Sequence, residues 1–111
     1  MTAPNSTFFI KRNDTSPVIE EYLRNADGSA LDVSASTVVF HMRDGFGTVK
    51  VSSPATIVNG PQGWVRYSWI AADTNQAGTF YREWQVTLPS GRIVTTPNYT
   101  DYPVQISTDI A

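Results

Sequence analysis

The stretch Phe80-Tyr81-Arg82-Glu83-Trp84-Gln85-Val86-Thr87-Leu88 decides the fold. Its apolar residues recur with period two: Phe80, Trp84, Val86 and Leu88 oppose Tyr81, Glu83, Gln85 and Thr87. In a strand, successive side chains point to opposite faces, so this pattern describes a half-buried strand. Two other windows read the same way. In Thr37-Val38-Val39-Phe40-His41-Met42-Arg43, Val38, Phe40 and Met42 share a face opposite Val39, His41 and Arg43. In Trp64-Val65-Arg66-Tyr67-Ser68-Trp69, Val65, Tyr67 and Trp69 oppose Trp64, Arg66 and Ser68. A helix needs an apolar stripe at three- and four-residue spacing, and none of these windows has one. The shared parity predicts a core of Phe40, Tyr67, Trp69, Trp84 and Val86. Arg82 falls on the apolar parity, which predicts a place near the strand's end where its head reaches water.

Working outward, turn signals recur at Asn13-Asp14, Asp27-Gly28, Gly45-Phe46-Gly47, Asn59-Gly60, Ala77-Gly78, Ser90-Gly91 and Pro97-Asn98. Gly, Asn and Asp reach positive φ, and Pro ends ladder pairing, so these positions separate strands. Further strands are expected at 6–11, 17–24, 48–52, 54–58, 92–96 and 102–107. The tight Pro89-Ser90-Gly91 connection makes 79–88 and 92–96 a hairpin. The segment 71–78 is the place for a helical turn carrying the chain between sheets. The second strand is irregular: Ile19 and Leu23 look inward, which puts Glu21 between them. A bulge or a rim position would accommodate it. The expectation is an all-β, antiparallel β-sandwich of seven to nine short strands, in one domain over residues 1–111 with Met1–Thr7 as a flexible arm.

Composition narrows the function. The 111 residues carry a net charge of −2, no cysteine and one histidine, with 16 % charged and 12 % aromatic residues. That is too aromatic and too weakly charged for disorder. The eight basic residues are scattered, against the clustered patch of a nucleic-acid site. No apolar run has the length of a signal peptide or a membrane span, so neither nucleic acid nor membrane is an expected partner. Thiol catalysis is excluded, and a single histidine excludes a multi-histidine metal site. His41 lies mid-strand on an outward face and reads as a solvent-facing residue, not as a catalytic base. Glu20 and Glu21 are adjacent, so a strand sends them to opposite faces; they are not an acid–base pair. Asp27 and Asp32 flank a turn without the ligand spacing of a calcium loop. Gly45-Phe46-Gly47 lacks the Lys-Ser/Thr of a phosphate loop and reads as a hairpin tip. The reading is therefore no enzyme, no metal and no cofactor.

Order and spacing carry a family likeness. The string Ile10-Lys11-Arg12-Asn13-Asp14-Thr15-Ser16-Pro17, then Asp27-Gly28, Leu31-Asp32-Val33, Thr37–Arg43, Val49-Lys50-Val51, Gly63–Trp69, Asp73-Thr74, Ala77-Gly78 and Glu83–Thr87 resembles the N-terminal immunoglobulin-like domain of phage baseplate upper proteins. Asn13 stands where that family often has glycine, and Glu21 where a small apolar residue is expected. The resemblance implies an immunoglobulin-like sandwich that docks onto a phage particle. The 111 residues span about that domain, so the expectation is a small accessory subunit in place of a full baseplate scaffold. The expectation is a non-enzymatic virion protein of the tail, baseplate or neck, made in the host cytoplasm and partnered by other virion proteins or by its own copies. A capsid decoration protein is one alternative. The other is a glycan-binding β-sandwich aiding host adsorption, with Trp64 and Tyr81 as its platform beside Arg66 and Glu83. For docking, the expected interface residues are Phe46, Trp64, Arg66 and Tyr81, because Trp, Tyr and Arg dominate binding hot spots. Arg43 is a further polar partner, and the Met1–Thr7 arm a second contact.

Overall fold

The computed structural model describes residues 7–97 and 101–110. Among the described residues nine strands form two sheets packed face to face, the β-sandwich expected from the alternating windows and the turn spacing. The strands are β1 (Phe8–Lys11), β2 (Ile19–Tyr22), β3 (Thr37–Asp44), β4 (Val49–Pro54), β5 (Thr56–Asn59), β6 (Trp64–Tyr67), β7 (Gly78–Thr87), β8 (Ile93–Thr96) and β9 (Tyr102–Ser107). The larger sheet runs β1-β9-β7-β3-β4, with β8 also on β7, and the smaller runs β2-β6-β5. Among the described residues the one helical turn is a 3₁₀ turn at Ala71–Asp73, where the chain returns from β6 to β7. Of the expected Met1–Thr7 arm, residues 1–6 lie outside the described residues.

One pairing departs from the antiparallel expectation. β1 runs parallel to β9, from Phe8 opposite Val104 to Lys11 opposite Ser107. No turn joins these two strands; the rest of the domain lies between them, so nothing imposes a hairpin's antiparallel sense. β7 is long enough to serve two neighbours on one side. Its first half, Gly78–Arg82, pairs with β9, and its second, Trp84–Thr87, pairs with β8. The β7–β8 turn is closed by bonds from Leu88 N to Arg92 O and from Gly91 N to Leu88 O.

The predicted parity holds on the central strands. Val38, Phe40 and Met42 of β3, Val65 and Tyr67 of β6, and Phe80, Trp84 and Val86 of β7 are all buried. Phe40 sits opposite Trp84 in the β3–β7 register, with ring centroids 4.8 Å apart. Across the sandwich it stacks on Tyr67 at 4.7 Å. Each such side chain contributes roughly 1.5–3 kcal/mol by leaving water, so this aromatic group ties the sheets together. The hydroxyl of Tyr67 donates to the buried Asp73 at 2.6 Å, and Asp73 also accepts from the Ile70 amide at 3.0 Å. Burial, reinforced by the Asp73 carboxylate, pushes the Tyr67 phenol up to about 12.

Arg82 is a correction to the sequence reading. It lies mid-strand, its side chain is 3 % exposed, and its Nε donates to Glu21 at 2.6 Å. Its Nη1 donates to the Pro103 carbonyl, also at 2.6 Å. Glu21 explains this. The β2–β6 register shows no bulge, so Glu21 points inward from an edge strand toward the facing sheet. There it accepts from Arg82 and from Trp84 Nε1, at 2.8 Å. Two residues that each looked misplaced on an apolar parity satisfy one another.

Candidate functional site

The outward residues of β2 and β6 are Glu20, Tyr22, Trp64 and Arg66, and the register sets Glu20 opposite Arg66 and Tyr22 opposite Trp64. Trp64 enters its strand from Gly63, which has φ of +70°. A Cβ there would meet the carbonyl oxygens of Leu23 and Leu31 at 2.6 Å each, so only glycine lets the chain pass this close to the Leu23–Leu31 backbone. The result is a built surface. Trp64 Nε1 donates to Glu20 Oε1 at 2.8 Å, while Arg66 holds Glu20 Oε2 through Nε and Nη2, each at 3.2 Å. The Tyr22 ring stacks on Trp64 with centroids 5.4 Å apart and planes 20° from parallel. Tyr22 remains 50 % exposed.

A second polar surface lies on the outer face of the larger sheet. His41, Arg43, Tyr81, Glu83, Gln85 and Asp101 line a depression of about 320 Å³. Arg43 sits over the Tyr81 ring at 5.2 Å and bonds Asp101 at 3.0 Å. His41 Nε2 and Gln85 Oε1 are 3.0 Å apart. Burial, then the neighbouring Asp101 carboxyl, pushes the Glu83 carboxyl up. Hydrogen bonding and stacking are the chemistry these groups offer. Among the described residues no three His, Cys, Asp or Glu converge as a metal site. Asp27 and Asp32 are engaged locally: each accepts from a serine two residues on, Ser29 and Ser34, which holds both carboxyls low.

Four residues were expected to share an interface, and they do not form one cluster. Trp64 and Arg66 lie on the outer face of the smaller sheet, and Tyr81 lies on the outer face of the larger one. The sandwich stands between them, so Trp64 and Tyr81 cannot form one platform, with Arg66 and Glu83 beside it. Phe46 is at the β3–β4 hairpin tip, 96 % exposed, its amide donating to Asp44. Outward parity was legible for Trp64 and Tyr81, but parity does not say to which sheet a strand belongs. The actual neighbour of Trp64, Tyr22, was missed. Its signal was present, since inward Ile19 and Leu23 bracket an outward Tyr22, but the β2–β6 pairing was not readable.

No family model matches the chain, and a search of curated proteins finds no match. Among solved structures the chain is similar to CopC from Methylosinus trichosporium OB3b, with a TM-score of 0.56 and 14 % identity. The likeness covers 97 % of this chain and 90 % of that one. At that identity it shows the shared sandwich fold alone.

Proposed function

We propose that this chain is a non-enzymatic docking module of a phage particle, a tail, baseplate or neck accessory, anchored through Tyr22, Trp64, Glu20 and Arg66. The particle comes from the sequence resemblance; the anchor comes from the geometry. What supports it is the stacked Tyr22–Trp64 pair, held on an open sheet face by the Glu20–Arg66 ion pair. Association costs several kcal/mol of lost freedom before any net affinity appears. An anchor whose rings are already fixed loses little further side-chain entropy on binding, and Trp, Tyr and Arg are the residues that dominate hot spots. Symmetry on a particle multiplies a modest contact of this kind.

The test offers the purified domain to particles lacking it. The double variant Tyr22→Ser/Trp64→Ser, shown folded by circular dichroism, is expected to bind at least tenfold more weakly than the parent. Tyr81→Ser, on the opposite face, is expected to bind like the parent. If the folded double variant binds normally, this face is not the anchor. If the parent ignores particles but is retained by a polysaccharide column, the glycan-binding reading replaces the docking one.

A further inference from the structure

Beside the Glu21–Arg82 pair the described residues leave a cleft along one flank of the sandwich. This cleft of about 470 Å³ separates the edge of β2 and the chain after it, Glu21–Ala26, from β8 and Tyr102. That volume falls within the range of about 300–1,000 Å³ in which proteins seat ligands.

One wall is the edge of β8; the other is the end of β2 with the chain that follows it. β8 pairs with β7, and β2 with β6; among the described residues neither has a second strand partner. Hydrogen-bonded and non-bonded pairs alternate along an antiparallel ladder. Leu88 N bonds Arg92 O, so Val94 and Thr96 turn their amides and carbonyls toward β7. Ile93 and Thr95 therefore direct theirs away from the sheet. Natural edges are usually blunted by charge, proline or a bulge. Ile93-Val94-Thr95-Thr96 has none of these within the strand, and all four residues are β-branched. β5, the other uncharged edge, is bulged between Ile57 and Asn59.

The floor adds a polar requirement. Glu21 borders the cleft with its side chain 17 % exposed. Its Oε1 takes both Arg82 and Trp84, while its Oε2 has no hydrogen-bond partner among the described residues. Arg82 balances the charge, so the remaining oxygen calls for a hydrogen-bond donor more than for a second cation.

We propose that the cleft between β2 and β8 is a strand-addition site for an extended peptide, which pairs with the free edge of β8 and sets a hydrogen-bond-donor side chain on Glu21. Main-chain bonds supply affinity in this mode, and alternate side-chain positions supply selectivity. Four residues of strand extend about 13 Å, so a short segment matches β8 end to end. The wall of Tyr22–Ala26 decides between occupants. A single extended chain enters between the walls, whereas the edge of a second folded sandwich brings its own facing sheet against that wall. The site is separate from the Tyr22–Trp64 face, and the proposal does not depend on what the domain docks to.

The experiment pans a random dodecapeptide library against the folded domain, with the Thr95→Pro variant as counter-selection. Enriched peptides are expected to slow hydrogen exchange at the Thr95 and Ile93 amides of the unaltered domain at least tenfold. Thr95→Pro removes the outward N–H while leaving the β7 ladder, and is expected to weaken binding at least tenfold; Thr95→Val is expected to bind normally. The enriched sequences should share a hydroxyl, amide or amine side chain at one position. No enrichment, or binding that leaves the two amides unprotected, overturns the proposal. Peptides without a common donor position overturn the assignment of Glu21. Protection of the same amides by concentration alone, with a dimer in sedimentation, makes the occupant a second copy instead. The exchange measurement needs no variant, so a Thr95→Pro chain that fails to fold leaves the test intact.

Discussion

Glu20 and Glu21 are neighbours in sequence and build the same motif twice. Glu21 accepts from Arg82 and Trp84, and Glu20 accepts from Arg66 and Trp64. In each case the arginine and tryptophan are two residues apart on a strand, which puts them on one face. The difference is where the motif stands. The Glu21 group joins two sheets through their shared interior, with Arg82 almost fully enclosed. The Glu20 group joins adjacent strands of one sheet on its outer face, with the Arg66 and Glu20 side chains each over a third exposed. The same three residue types thus make an interior fastening in one place and a solvent-facing cluster in the next.

Water should separate the two groups in measurement. The largest effect is expected at Glu21. Glu21→Ala removes the carboxylate partner of a buried guanidinium, which costs about 3–5 kcal/mol of unfolding free energy. Urea titration reads this directly. Replacing both partners, as Glu21→Leu with Arg82→Met, is expected to return stability to within about 1 kcal/mol of the parent, because a matched apolar pair no longer desolvates charge. A double variant as unstable as Glu21→Ala would mean that Arg82 acts through packing and its Pro103 bond, not through Glu21.

A third carboxylate sharpens the contrast, because its donor is neutral. Tyr67→Phe leaves Asp73 with the Ile70 amide alone and is expected to cost about 1–3 kcal/mol. It also carries a pH signature. The Tyr67 phenol is raised in the folded state from 10 to about 12. A raised folded value means its stabilisation is intact below the unfolded value and disappears as pH climbs through the folded one. Denaturation midpoints should therefore fall between about pH 10 and 12, more steeply in the parent than in Tyr67→Phe. Equal slopes would remove Tyr67 as the cause.

The smallest effect is expected at Glu20. Glu20→Gln should change stability by under about 1 kcal/mol, as for other solvent-exposed pairs. That difference should shrink further in 1 M salt, where the screening length is about 3 Å. A loss comparable to that of Glu21→Ala would erase the distinction between the two groups.

What the sequence determined by itself was everything that depends on local alternation. The windows around Phe40, Tyr67 and Trp84 display their buried faces because side-chain direction in a strand has period two whatever the partner. Asn13 was legible as a turn residue able to take positive φ, and its φ is 70°. The turn at 71–78 and the β7–β8 hairpin followed from residues that either limit or extend backbone freedom. Tertiary structure decided what each outward or misplaced residue meets. Parity put Trp64 and Tyr81 outward but could not say that their strands belong to different sheets. It marked Glu21 and Arg82 as irregular, each on its own strand, and only folding brings them within 2.6 Å. It left Tyr22 unremarked until β2 lay against β6. The physical reason is one of range: the direction of a side chain is set by its own backbone, whereas its company is set by strand order and register, which here join residues more than 40 positions apart.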